Sequence, residues 1–399
     1  MRLAKSGDWW EVDSQRRLAN NSVCYTEKPD TLSFIKEWTS LIESRSGERG
    51  VFNRVAAQKK AAENGRRDPG YDFLTNPCGE IILRDQGFCN LSECVVRSTD
   101  TFEDLKRKVE LATILGTFQA TLTNFVYLNP KWKENAEEER LLGVSLTGIM
   151  DHPFLNSMDD RKICKTKTDG WYSLPEILQS LKQVAIDTNK IWSERLGINQ
   201  SVAITCVKPS GTVSQLVDSS SGIHPRYSPY YIRTVRADNK DPLTMMMMDA
   251  GIPCEPDVMS PESTSVFSFP IKAPEGAIYR DDKTAIQQLE HWLIYKTYWC
   301  EHNPSITIYV KEHEWLEVGS WVLEHFDDVS GIAFLPHTDH VYQQAPYQEI
   351  TEEEYNKAYE AMPKDIDWSM LREYEFIDAT KSSQTYACSG SSCELVDIE

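Results

Sequence analysis

Apolar residues recur at three- and four-residue spacing over 102–125 (FEDLKRKVELATILGTFQATLTNF), 175–196 (PEILQSLKQVAIDTNKIWSERL) and 284–301 (TAIQQLEHWLIYKTYWCE). That period predicts three long helices, each with one buried stripe. Short runs rich in β-branched and aromatic residues lie between and after them: VSL near 144, SVAITCV at 201–207, YYIRTVR at 230–236, SVFSFPI at 265–271, SITIYV at 305–310 and GIAFLP at 331–336. These read as strands, and helices alternating with strands predict an α/β fold. Met245 to Met248 sit in a short helical stretch, DPLTMMMMDAGI, where flexible thioethers fill a core. From about 377 the chain turns to DATKSSQTYACSGSSCELVDIE, small, polar and without period, which predicts a mobile tail.

Composition narrows the function classes. The 399 residues carry 42 Lys+Arg against 61 Asp+Glu, a net charge of -19, with no basic cluster to meet phosphate backbones or an anionic bilayer. A soluble protein acting on small molecules is expected, with no nucleic-acid or membrane partner. The opening MRLAKSGDWWEVDSQRR has no apolar core of a signal peptide, and no 18 apolar residues run together, so a cytoplasmic location is expected. Ten Cys in such a chain are expected as reduced thiols: core filler, metal ligand or redox group. None forms a CxxC pair, and the eight His make no metal pattern. His291, His302 and His313 fall on or beside helices and read as surface or capping residues. His224, between SSSGI and Pro225, is the histidine nearest to candidate chemistry.

Three clusters carry that chemistry. In 75–90, TNPCGEIILRDQGFCN, Pro77 and Gly79 bracket Cys78 in a tight turn with Glu80 two residues on. Cys78 can serve as nucleophile or radical carrier and Glu80 as general base, or the segment is a structural turn with a buried Cys. Cys89 reaches the same pocket if the intervening residues fold back, and a local Cys89/Cys94 disulfide is a rival use of it. In CVKPSGTVSQL at 206–216, Pro209 and Gly211 break a strand into a turn whose amides and hydroxyls can face an anion, or that is simply a turn. In the tail, Cys388 and Cys393 are five residues apart, suited to closing a small disulfide and shuttling electrons by exchange, or paired by accident.

In this order the clusters resemble the catalytic chains of ribonucleotide reductases. NPCGEI with FCNL, then KPSGTVSQL with SSGIHPRYSPYYIRTVRAD, then CxxxxC, are most similar to the monomeric, adenosylcobalamin-dependent (class II) ribonucleoside-triphosphate reductases. The resemblance implies an α/β fold over 1–376, part of a ten-stranded α/β barrel with a finger loop at about 74–90 at its centre, and a flexible redox tail over 377–399. It implies Cys78 as the thiyl radical that abstracts the ribose 3′-hydrogen, Glu80 as base for the 3′-hydroxyl, Asn76 as a ribose ligand and Cys89 as one of two reducing thiols. Ser210, Gly211, Thr212 and Val213 would bind substrate phosphates through their amides, and Cys388 and Cys393 would be re-reduced by thioredoxin or a similar dithiol. Only 77 residues precede Cys78, where the family has a long first half-barrel. The resemblance therefore implies the C-terminal half of a split or truncated enzyme that needs an N-terminal partner, and Cys24 is not assigned the missing thiol's role. Two alternatives stand beside it. A class I large chain would need a tyrosine pair near the C-terminus, where Tyr374 and Tyr386 lie apart. An orphan half could act as a non-catalytic binding protein.

Overall fold

The computed structural model describes residues 22–44, 50–157, 164–165, 171–337 and 343–375. The three long helices form where the period places them, and side chains at their ends account for their bounds. Leu174–Leu196 starts with the Glu176 carboxylate accepting from the Ser173 N–H at 2.7 Å and stops at Gly197, left-handed at φ 67°. Ala285–Tyr298 opens on a reciprocal pair, Thr284 with Gln287. Phe102–Gln119 opens on the equivalent pair, Thr101 with Asp104. It ends six residues short of the expected Phe125, because the Arg140 guanidinium takes the Ala120 carbonyl at 2.6 Å and the chain turns through Leu122.

Contacts divide the chain into two units. The first draws on Met1–Pro225 and Glu275–His337 and contains the helices above. Its strands Asn90–Val95, Leu142–Thr147 and Thr205–Cys206 pair in parallel. A parallel bridge from Val207 to Pro304 leads to Thr307–Val310, itself parallel to Gly331–Pro336. Five strands therefore run in one direction, with helices as the crossovers. Gly50–Asn53 then joins the far edge antiparallel and carries Ser22–Tyr25. The second unit, from Arg226–Pro274 and Thr338–Ala387, is an antiparallel sheet in the order Cys254–Pro256, Thr264–Lys272, Tyr230–Asp238, Tyr347–Glu349. Met246 and Met247 of the helix Pro242–Asp249 are buried there, and Met247 packs with Ile252 and Phe267. The chain is mixed α/β, as expected.

In the first unit, the core also ties helices to the strand ends where the chemistry sits. Trp292, Tyr295 and Trp299 are fully buried, and each satisfies its polar atom. The indole N–H of Trp292 donates to the Pro304 carbonyl at 2.6 Å, that of Trp299 to the Cys206 carbonyl at 2.7 Å, and the Tyr295 hydroxyl to the Leu155 carbonyl at 3.1 Å.

Two readings need correction. The strand expected over 201–207 is regular only at Thr205–Cys206. The amides of Ser201, Val202 and Ile204 donate instead to Asn189 Oδ1, the Glu139 carbonyl and Glu301 Oε2. His291 and His302 are not surface residues: both are fully buried, on Leu155 and Lys283 and on Leu142 and Ile82 respectively. His313 is exposed. No helix among the described residues is long and apolar enough to cross a membrane.

Candidate active site

The loop that carries Cys78 is the tip of a short hairpin, Leu74–Thr75 paired antiparallel with Ile82–Leu83. Its local sequence closes the tip. Pro77 fits the second position of a turn in which the Gly79 N–H donates to the Asn76 carbonyl at 2.9 Å, and Gly79 itself takes φ 80°, a value that only glycine adopts freely. The Asn76 side chain accepts from the Ile81 N–H at 3.0 Å. A buried ionic cluster anchors the hairpin's base: Glu139 meets Arg67 at 2.7 Å and Arg84 at 3.3 Å, while the two guanidinium groups lie over Phe73 and Tyr71. Removing one partner from such a cluster typically costs about 3–5 kcal/mol, since the remaining charges stay buried.

The tip meets the strand ends at 206–208 and 303–305. Lys208 reaches in from the second cluster: its Nζ lies 3.0 Å from Glu80 Oε1 and 3.8 Å from Cys78 Sγ. Glu80 is fully buried, and its other oxygen, Oε2, has no hydrogen-bond partner. A buried carboxylate oxygen without a donor is costly, and it leaves Glu80 with an unsatisfied acceptor. Cys78 is half-buried. Burial, and after it the Glu80 carboxylate, push its thiol up, against the pull of Lys208. The thiol therefore carries its hydrogen at neutral pH. For Lys208, burial lowers the ammonium, but Glu80 and Cys78 outweigh it and leave the pKa raised.

Cys89 does fold back. A turn from Arg84 to Gly87, with Gln86 left-handed at φ 55°, reverses the chain into the strand that begins at Asn90. The Cys89 thiol is pushed up to about 11, by burial and then by the Glu80 carboxylate, so the two groups share one electrostatic environment. Cys89 and Cys94 are both free thiols, which overturns the local disulfide. Cys94 is buried in its strand.

The turn at 210–213 is a short helix, Gly211–Leu216, with part of its amide set already in use. The Gly211 N–H donates to Ser221 Oγ at 3.0 Å and the Val213 N–H to the Ser210 carbonyl at 2.9 Å. Ser210 Oγ is buried without a partner, as are Ser219 Oγ and Ser220 Oγ. Gly222, at φ 56°, lets the chain pass under Lys208, since a Cβ there would meet the Lys208 carbonyl at 2.5 Å. His224 is buried between the Ser221 carbonyl and the Thr307 N–H, where burial lowers its pKa and a neutral ring serves both contacts. Cys388 and Cys393 lie outside the described residues.

The structure thus brings Cys78 and Glu80 together beside Asn76 in one turn, places Cys89 within electrostatic reach of Glu80, and adds Lys208, which sequence reasoning passed over. Its signal was present, as the one cation in CVKPSGTVSQL. We expect Lys208→Met to move the pH midpoint of Cys78 alkylation by iodoacetamide upward and to slow alkylation at pH 8, read from the Cys78 peptide by mass spectrometry. Lys208→Arg should keep the original profile. A midpoint that falls, or stays put, in the Met variant would remove Lys208 from the thiol's environment.

No family model matches the chain. Among curated relatives, the adenosylcobalamin-dependent ribonucleoside-triphosphate reductase of Lactobacillus gasseri is 30% identical over 368 residues, covering 86% of this chain and 48% of that protein. The protein of the same name from Euglena gracilis is 30% identical over 324 residues, covering 80% of this chain and 41% of its own length. The chain spans about half the length of the curated relatives it matches. A crystal structure of a B12-dependent (class II) ribonucleotide reductase superposes with a TM-score of 0.72 at 24% identity, covering 94% of this chain and 55% of that one. The alpha subunit of the Actinobacillus ureae class Id reductase superposes with a TM-score of 0.51 at 12% identity, covering 80% of this chain and 65% of that subunit.

Proposed function

We propose that this chain is the C-terminal catalytic part of an adenosylcobalamin-dependent ribonucleoside-triphosphate reductase, converting ribonucleotides to 2′-deoxyribonucleotides by thiyl-radical chemistry. The observation that carries this reading is the triad at the hairpin tip: a protonated, half-buried Cys78 thiol, and a buried Glu80 with one oxygen on Lys208 and the other open. The five parallel strands are suited to one half of a ten-stranded barrel, with the hairpin as its finger loop.

Adenosylcobalamin, when bound, supplies homolysis of a cobalt–carbon bond and so a one-electron partner for a thiol. The chain fits such a group in its donor: Cys78 is held as S–H, the form that gives up a hydrogen atom, and is the residue that would meet it. Glu80 Oε2 then accepts the 3′-hydroxyl proton while Lys208 holds Oε1 and fixes the carboxylate's direction. The Asn76 amide nitrogen orients the ribose, since its oxygen is committed to Ile81. The 2′-hydroxyl leaves as water, and the two electrons come from Cys89 and a second thiol, which close a disulfide. Cys89, at about 11, keeps the proton that the leaving hydroxyl needs. Ser210, Gly211, Thr212 and Val213 form the phosphate segment, in which Ser210 Oγ is an unpartnered donor and the Gly211 and Val213 amides would have to leave Ser221 Oγ and the Ser210 carbonyl to contribute. The disulfide passes to Cys388 and Cys393, and from them to thioredoxin or a similar dithiol.

The chain spans about half the length of the relatives it matches, and on this reading the second thiol and the first half-barrel belong to an N-terminal half that activity needs. The test is reconstitution with adenosylcobalamin, a ribonucleoside triphosphate and dithiothreitol. The chain alone should form no deoxyribonucleotide, and addition of a polypeptide matching the relatives' N-terminal half should restore it. Turnover by the isolated 399-residue chain would overturn the half-enzyme reading and bring Cys24 back as the partner of Cys89. A complex that forms but stays inactive would favour a binding role.

A further inference from the structure

The backbone of the Cys78 loop is held from outside the loop, by residues 303–305. The three consecutive carbonyls of Cys78, Gly79 and Glu80 each accept a hydrogen bond from that segment: from the Ser305 hydroxyl, from Asn303 Nδ2 at 3.0 Å and from the Asn303 N–H at 3.1 Å. One side chain supplies the central contact and spans two segments, since Asn303 Nδ2 also donates to the Gly331 carbonyl at 3.0 Å.

The amide of Asn303 has only one orientation open to it. Its Oδ1 accepts from Lys296 Nζ at 3.2 Å and from Ser330 Oγ at 2.9 Å. The carbonyls of Gly79 and Gly331 can only accept, so both N–H groups must face them and the amide oxygen must face Lys296 and Ser330. Lys296 is itself buried, with its remaining donors on the His302 carbonyl at 3.1 Å and on Ser330 Oγ. Asn303 is 1% exposed. We propose that Asn303 is a positioning residue for the reaction, its side-chain amide set by Lys296 and Ser330 and in turn fixing the Cys78–Glu80 loop. The proposal rests on the reading of Cys78 and Glu80 as the reacting pair. It goes beyond that reading in assigning the loop's geometry to a residue 225 positions after Cys78.

The physical need is plain from the loop's composition. Gly79 is the residue of the loop freest to turn its peptide plane, and the donor on its carbonyl fixes that plane between the Cys78 thiol and the Glu80 carboxylate. Errors of about 1 Å in such a register can cost about 10²-fold in rate.

The test uses the full chain and two variants. Asn303→Asp is nearly isosteric but turns an acceptor toward the carbonyls of Gly79 and Gly331. Ser330→Ala is milder and removes one of the two groups that orient the amide. Hydrogen exchange read by mass spectrometry should be about tenfold faster in the peptide 76–83 of Asn303→Asp, and faster by a smaller factor in Ser330→Ala, with the helix 174–196 unchanged. In the reconstituted protein, kcat should fall about 10²-fold for Asn303→Asp while KM moves less than about threefold. Exchange in 76–83 within twofold of the unsubstituted chain would overturn the proposal, as would equal acceleration in 76–83 and 174–196, which marks a core residue only. If Asn303→Asp does not fold, an unchanged 76–83 in Ser330→Ala overturns it as well. Loosening confined to 76–83 in a protein that never makes deoxyribonucleotide would uphold the cradle and refute the reductase reading.

Discussion

Cys78→Ser is expected to abolish deoxyribonucleotide formation in the reconstituted protein while leaving the fold intact. The substitution keeps a small side chain at the hairpin tip, and the elements that shape that tip are elsewhere: the Asn76–Gly79 turn, the Ser305 and Asn303 contacts and the Glu139 cluster at its base. Melting temperature should therefore change by no more than a few degrees. What is lost is chemical. A hydroxyl does not surrender its hydrogen atom as a thiol does, so the step that starts on Cys78 has no substitute, and Cys89 lies on the strand side of the Arg84–Gly87 turn rather than at the tip. Turnover above background in this variant, measured as deoxyribonucleotide over several cycles, would take the radical role away from Cys78.

Glu80→Gln should lower kcat by about 10²-fold or more, with KM little changed. The amide is close in shape, keeps an oxygen for Lys208, and cannot take up the 3′-hydroxyl proton. It also replaces the open Oε2 acceptor, which is buried without a partner. The double variant with Lys208→Met should then fall by less than the product of the two single losses, because both act on one carboxylate. Full additivity would mean that Lys208 serves something other than Glu80.

The parts of this site that depend on neighbours in sequence were legible before the fold. Pro77 and Gly79 define the turn, Glu80 follows Cys78 within it, and the turn that folds Cys89 back ends at Gly87. Long helices were legible from their period, Leu174–Leu196 to within one residue, while Ala285–Tyr298 was read three residues too long at its end. Phe102–Gln119 was read too long because its stop comes from Arg140, twenty residues beyond Ala120. The strand at 201–207 was read too long for a like reason: its amides go to Asn189, Glu139 and Glu301, partners that no local pattern reveals. His291 and His302 were misplaced because helix-side position says nothing of what packs above it. Their ring nitrogens are satisfied by Leu155 and by Leu142 and Ile82, on distant segments. Lys208, Asn303 and Ser305 reach the tip only because the parallel bridge from Val207 to Pro304 sets two strand ends side by side beneath it.

The most direct measurement is rapid-freeze electron paramagnetic resonance of the reconstituted protein, with adenosylcobalamin and a ribonucleoside triphosphate, prepared with ordinary and with β-deuterated cysteine. The account predicts a sulfur-centred signal that narrows on deuteration and is absent in Cys78→Ser. A sulfur-centred signal of the same intensity in Cys78→Ser would contradict it.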